Sequence, residues 1–216
     1  MRSLPIRFVC HNLRGRCMFK TVVLDPPWKK SSGGVGNATL QPSTHYDVQS
    51  TNQIVGTVLD WFDQNPVAPE AHMYLWCVNT FSGGKYQGIV PALDVCEKLG
   101  FNPISSIPWI KSNVGSPTPY GMRYTEMCIF AVRYRKGLGK RTRYSGNTDL
   151  ESVPNGKGLC GSRDYIIAPR REHSRKPDEF YTFVEQRSLG PYLDLYSRTN
   201  RPGWTSVGNQ TGTWSI

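Results

Sequence analysis

The feature that most constrains this fold is "HMYLWCV" (72–78), an almost unbroken apolar run rich in β-forming residues. A strand with one wet face alternates apolar and polar residues. A run without alternation predicts a central strand buried on both faces, as in a parallel sheet covered by helices. The neighbouring segments agree. "TVVL" (21–24) reads as a short buried strand, and a helix is expected from Ser50 or Thr51, natural N-caps, through "NQIVGTVLDWF" to about Phe62. "YQGIVPALDVCEKLG" (86–100) has helical spacing, with Gly100 as a stop and Pro91 as a kink or a start. Strands follow at about 103–110, at "EMCIFAVRY" (126–134) and at "DYIIA" (164–168). "KPDEFYTFVEQRS" reads as a helix with Lys176 at its N-cap, Pro177 at its first position, and Asp178 and Glu179 in its first turn. "YLDLYS" (192–197) is a further buried strand, and the tail "RPGWTSVGNQTGTWSI" reads as turns. Strands alternating with helices predict an α/β sandwich on a mainly parallel sheet, and 216 residues suit a single domain over 1–216. Ligands of such sheets sit beyond the carboxyl ends of strands, where both "DPPW" and "YSR" fall.

Charge points to the partner. Lys and Arg number 26 against 16 Asp and Glu, a net charge of +10. Much of the excess lies in "RYRKGLGKRTR" (133–143) and "RREHSRK" (170–176). A single lysine on a surface is ordinary, but a whole chain this basic predicts a polyanionic partner. Lys29, Lys30, Arg135, Lys136, Lys140, Arg141, Arg143, Arg171 and Arg175 are the candidate phosphate contacts. The stretches 29–49 and 135–162 carry no periodicity, and their Lys, Arg and Gly content suits segments that close over a substrate. The six cysteines form no C-x-x-C pair and no zinc-spaced cluster, so a reduced compartment without disulfides or a metal is expected. No apolar run approaches a membrane span, and "MRSLPIRFVCHNLRGR" is too broken by charge for a signal peptide. The expected location is intracellular, with no membrane partner.

The sharpest chemistry lies at the end of the first strand, in "DPPW" (25–28). Two prolines stiffen the exit and remove N–H donors, leaving outward carbonyls that need partners. Asp25 supplies an acceptor at the sheet edge and Trp28 a flat π-face. An isolated Pro-Pro pair is ordinarily a strand-ending turn over a buried aromatic. Here acid, strand and aromatic together suit a planar ring carrying an exocyclic –NH₂. Its hydrogens would donate to Asp25 and to the Pro26 carbonyl while the ring stacks on Trp28.

"DPPW" also resembles the catalytic tetrapeptide of the MT-A70 family, the adenine-N6 methyltransferases that include the mRNA methyladenosine writers. Other stretches match in the same order. "THYDVQS" resembles the family's Pro-Tyr-x-x-Met-Ser segment, "MYLWCVNT" its Phe-Leu-Trp strand and "GFNPISSIPWIKSN" its Ile-Trp-Val-Lys strand. "TEMCIFAVR" is similar to Glu-His-Cys-Leu, "HSRKPDEFY" to Ser-x-Lys-Pro-Asp-Glu-x-Tyr, and "YLDLYSR" with "RPGWTSVGNQ" to the family's closing motifs. The resemblance runs from about Val9 to Gln210. It implies a Rossmann-like methyltransferase dependent on S-adenosyl-L-methionine (SAM), with permuted order: the target-amine motif precedes the SAM-binding strand. It implies that Asp25 and Pro26 hold the amine, with Pro27 beside them in the catalytic motif and Asp25 also at the cofactor, and that Trp28 and Tyr46 shape or stack the base pocket. It further implies that Lys176 faces the SAM carboxylate, with Asp194, Arg198, Asn209 and Gln210 near the ribose and Asn12 and Leu13 at the SAM adenine. At Asn200 some relatives carry histidine and the loop to "PGW" differs in length, so Asn200 and Arg201 take no role from the resemblance.

The expected activity is methyl transfer to adenine N6 in DNA. RNA adenosine is the alternative substrate, cytosine N4 a weaker one, and a non-catalytic nucleic-acid-binding member the alternative class. The chain begins almost at the catalytic fold, which is similar to compact bacterial or phage members acting on DNA in the cytoplasm. A second copy or a related family subunit is the expected protein partner.

Overall fold

The computed structural model describes residues 18–29, 48–81, 88–118, 121–134, 164–172 and 175–208. Its first strand is β1 (Phe19–Leu24), followed by α1 (Thr51–Gln64), β2 (Val67–Val78), α2 (Ile89–Lys98) and β3 (Asn102–Lys111). A small hairpin of β4 (Ser116–Thr118) and β5 (Gly121–Arg123) leads into β6 (Thr125–Arg133). Then come β7 (Ile166–Ala168), α3 (Asp178–Glu185), β8 (Tyr192–Leu195) and β9 (Trp204–Val207). Seven strands form one sheet in the order β7-β3-β6-β2-β1-β8-β9. Only β6 runs against its neighbours, pairing antiparallel with both β2 and β3. The other pairings are parallel, giving the mixed α/β, mainly parallel sheet of a Rossmann-like fold.

The chain leaves β1 through α1 towards β2, and leaves β8 towards β9 on the opposite side. The adjacent carboxyl ends of β1 and β8 therefore form a topological switch point, where open α/β sheets leave a crevice. Alternation along each strand divides the core in two. Val22 and Leu24 of β1 face α1 and α2, packing with Ile54, Val58, Val95 and Leu99. Val23, between them, joins Tyr74, Trp76, Trp109, Phe130, Phe180 and Val184 beneath α3.

Ser50 caps α1: its backbone N–H donates to Gln53 Oε1 at 2.9 Å, a reciprocal box that starts the helix where the sequence placed it. Pro91 lies in the first turn of α2, where its missing N–H has no intrahelical acceptor to satisfy. Gly100 ends that helix at φ 77, a left-handed backbone that disfavours side chains.

Several boundaries differ from expectation. Pro177, not Lys176, is the N-cap of α3; its ψ of 145 is extended, so the helix begins at Asp178. β2 starts earlier than 72 because a register shift in β1 lets Phe19 pair with Val67. The tail read as turns contains β9, a short edge strand held by β8. Cys77, Cys96 and Cys128 are buried free thiols. Burial pushes Cys77 and Cys96 up to about 12. Among the described residues no helix is long and apolar enough to cross a membrane.

Candidate active site

Asp25 is the first residue after β1, where the strand's apolar run ends at the switch point. The Pro26 carbonyl turns back to accept the Trp28 N–H at 2.9 Å, and the Pro27 carbonyl accepts the Gln49 N–H at 2.7 Å. Gln49 in turn accepts from the Lys29 N–H at 2.9 Å, a parallel bridge that clamps Trp28. The Trp28 ring is 8% exposed, inside the α1/α2 cluster, and its indole N–H donates to the Trp76 carbonyl at 2.8 Å. Trp28, expected to shape or stack the base pocket, is buried here and its indole anchors the turn.

Asp25 is the outer member of a line of alternating charge along the sheet edge. Lys176 Nζ lies 2.8 Å from Asp25 Oδ2 and 3.4 Å from Glu126 Oε2, and Lys111 Nζ lies 2.8 Å from Glu126 Oε1. The ammonium of Lys176 also sits 5.3 Å from the Trp76 ring centroid. The Lys176 and Lys111 side chains are only 9% and 4% exposed, so these contacts are poorly screened. Burial favours the neutral form of Glu126, yet Lys176 and Lys111 together hold its carboxyl below the usual carboxylate range. Lys176 was expected to face a ligand carboxylate; in this structure it is held by two of the protein's own.

The β8 end supplies the second wall. Asp194, 3% exposed, accepts from Ser197 Oγ at 2.9 Å and from the Tyr181 hydroxyl at 3.0 Å. Burial is the main cause that pushes its pKa up to about 7, against the pull of those two donors. Tyr196 follows at φ 62, a strained conformation for a non-glycine residue. The resulting turn brings the Ser197 N–H to the Val207 carbonyl at 3.2 Å. Gly208 packs so closely that an added Cβ would lie 2.7 Å from the Ser197 carbonyl oxygen and 2.9 Å from its nitrogen. Only glycine leaves room there.

One pocket gathers Asp25, Arg175, Lys176, Asp178, Tyr181, Asp194 and, from the β8–β9 turn, residues including Tyr196, Ser197, Arg198 and Arg201. Asp25, Lys176, Asp194 and Arg198, far apart in sequence and each expected to serve, are thus brought together. Arg201 joins them although the sequence assigned it no role. It donates to Asp178 Oδ1 at 2.6 Å and lies 4.0 Å from the Tyr181 ring centroid, while its buried Nε has no hydrogen-bond partner among the described residues. A buried donor left open in a pocket lined by both signs of charge fits a ligand carrying hydroxyl or carboxylate acceptors beside cationic groups. SAM is such a ligand.

Arg175 and Arg171, expected on phosphates, converge with Arg201 on Asp178. Arg171 is paired with the Asp178 carboxylate directly and Arg175 approaches it at 3.8 Å. Burial would raise the Asp178 pKa, but the Arg201 hydrogen bond and the three guanidinium charges hold it low. Lys29 is exposed beside the turn. Asn12, Leu13, Lys30, Tyr46, Arg135, Lys136, Lys140, Arg141, Arg143, Asn209 and Gln210 lie outside the described residues. Sequence reasoning missed Glu126, Lys111, Tyr181 and Gln49. The available signal was a lone charge at the start of one apolar strand (Glu126) and at the end of another (Lys111).

The chain is 24% identical over 211 residues to the human (Homo sapiens) N(6)-adenine-specific methyltransferase METTL4, covering 92% of this chain and 38% of that protein. It is 27% identical over 154 residues to the Drosophila melanogaster N(6)-adenosine-methyltransferase non-catalytic subunit METTL14, covering 65% of this chain and 34% of that one. It thus spans under half the length of either relative. The MT-A70 family model matches residues 19–210, from the first strand of the sheet to just beyond the last. The chain belongs to the MT-A70 family.

Proposed function

We propose that this chain is a SAM-dependent methyltransferase that modifies the N6 amine of adenine in DNA. The observation that carries the reading is Asp25, a carboxylate at the switch point whose one oxygen is engaged by Lys176 on the wall of the pocket. Asp25 and the second lone pair of the Pro26 carbonyl would accept the two hydrogens of an amine. Those bonds favour a pyramidal nitrogen and stabilise the positive charge that grows on it. Lys176 has a second anionic partner in Glu126, so Asp25 can turn to an amine without stranding a buried cation. When bound, SAM supplies the methyl group on a sulfonium. Lys176, Asp194 and Arg198 would hold it, with the Arg201 Nε–H as a further donor. The remaining work is alignment of nitrogen, methyl and sulfur.

DNA is favoured because the relative aligned with most of the chain is named for adenine, whereas the other is named for adenosine. The basic excess would hold phosphates, and a duplex substrate would require its adenine to be flipped out. The second reading, a non-catalytic subunit, has support in the METTL14 likeness and in the self-pairing of Asp25 with Lys176. Incubation with labelled SAM and DNA or RNA oligonucleotides, followed by nucleoside mass spectrometry, separates these. N6-methyldeoxyadenosine is the expected product. Methylated adenosine in RNA moves the substrate, and absence of both products together with no SAM binding points to the subunit reading.

A further inference from the structure

We propose that Gln49 is a positioning residue that sets the spacing between the amine-holding turn and the cofactor wall of the pocket. The inference rests on the reading of Asp25–Trp28 as that turn. Gln49 is bonded to both sides of the site. Its backbone brackets Trp28 through the Pro27 carbonyl and the Lys29 N–H, at 2.7 and 2.9 Å. Its side-chain Oε1 accepts the Tyr196 hydroxyl at 2.6 Å, and its Nε2 reaches Thr57 Oγ1 at 3.4 Å. Tyr196 is the strained residue opening the β8–β9 turn and lies directly on the pocket. Its ring packs edge-on against Trp61 of α1 with centroids 4.8 Å apart, so the phenol has little freedom to follow a displaced partner.

The β1 and β8 ends therefore do not meet through the sheet alone. A parallel pair fixes their register up to Leu24 and Leu195. Beyond a last bond from the Asp25 N–H to the Leu195 carbonyl at 3.4 Å, the two segments diverge, one into Pro-Pro and the other into a left-handed turn. The Tyr196–Gln49 hydrogen bond ties them again past the point of divergence. Methyl transfer needs donor and acceptor aligned, and a misplacement of about 1 Å lowers turnover by about a hundredfold. A tie that joins the two walls holds this alignment.

The test compares Tyr196→Phe, which removes only the hydroxyl, with Gln49→Leu, which removes the acceptor, the two combined, and Gln49→Glu, which keeps an acceptor in place. Each single loss is expected to lower kcat about tenfold, with KM for SAM and for the oligonucleotide changed less than about threefold. The combined variant is expected to be no slower than either single one, because both remove the same bond. Gln49→Glu is expected to stay close to the parent chain. Tyr196→Phe with unaltered kcat and a lowered melting temperature would assign the bond to stability alone and overturn the proposal. So would multiplicative losses, or Gln49→Glu failing as Leu does. The product identifies which idea fails: a parent chain that methylates cytosine N4 overturns the adenine reading, and the same variants are then compared on that product. If the parent turns over nothing, hydrogen exchange of the Lys29 and Gln49 amides decides. Loss of protection in Tyr196→Phe supports the tie, and unchanged protection overturns it.

Discussion

The two faces of the sheet are built from different materials. Beneath α1 and α2 the core is mainly aliphatic, with Val22, Leu24, Ile54, Leu75, Val95 and Leu193 near zero exposure and Trp28 and Phe101 among them. Beneath α3 the aromatic rings of Trp76, Trp109 and Phe180 pack beside buried or half-buried polar groups: His72, Asp194, Tyr181, Lys176 and Glu126. Burial holds His72 neutral, at about 4, with Ser188 Oγ 2.7 Å from its Nδ1. The aliphatic face needs only transfer of apolar area from water. The α3 face carries desolvated charges that must be matched one against another. The α1/α2 face holds one half-buried charge, Arg133, stacked over Phe101 and donating to the Leu99 carbonyl, whereas the α3 face carries a connected line of them that borders the pocket.

The largest expected break of this contrast is Asp25→Ala. Turnover should fall about a thousandfold, equivalent to about 4 kcal/mol, while SAM affinity changes only a few-fold. Nucleoside mass spectrometry and calorimetry read the two quantities, and near-normal methylation would remove Asp25 from the amine site. Next comes Asp194→Asn. The Asp194 carboxyl titrates near 7 in the folded chain and near 3.8 when unfolded. Folding therefore binds a proton between those values, and the parent chain loses stability relative to the variant as pH rises from about 4 to 7. The accumulated difference is on the order of 4 kcal/mol. Urea unfolding across that range that gave a constant difference would contradict it.

A matched pair sharpens the comparison between the faces. Leu75→Ala opens a cavity on the aliphatic face and should cost about 3 kcal/mol at every pH. Lys111→Met on the other face leaves Glu126 with one cation and should cost about 3 kcal/mol at neutral pH. Glu126 has a lowered folded pKa, so its contribution is present above the ordinary value of 4.5 and is lost as pH falls through the folded one. The Lys111→Met deficit should therefore shrink below about pH 4.5, whereas that of Leu75→Ala should not. The smallest effect is expected at Lys98→Ala, whose pair with Asp94 is exposed on α2. About 0.4 kcal/mol should be lost, and less at high salt.

Much of this architecture is legible in the chain itself. Apolar runs without alternation mark β1, β2 and β6, Ser50 marks the start of α1, and Asp178 and Glu179 mark α3, because each signal is local. β9 escaped because "WTSV" sits among glycine and proline, and its strand character depends on β8 alongside it. The pocket is legible in part. Asp25, Lys176, Asp194 and Arg198 each sit next to a strand or helix end, which is where a sequence can point. Their pairing is different: Lys176 and Asp25 are 151 positions apart, and no periodicity encodes that contact. The acceptor of the Trp28 indole N–H is equally non-local, being the Trp76 carbonyl on another strand.

The reversal of β6 has a consequence for how this edge can change over time. In a wholly parallel sheet every strand exits at the same edge and each exit must lead into a long crossover. Because β6 enters there, β3 and β6 are joined across the pocket edge by a short excursion carrying the β4–β5 hairpin, with Val114, Met122 and Tyr124 exposed. The two residues that anchor the charge line, Lys111 and Glu126, are its hinge posts. The excursion can lengthen, shorten or change its surface between fixed posts, so what approaches the pocket can vary while the sheet that builds it stays the same.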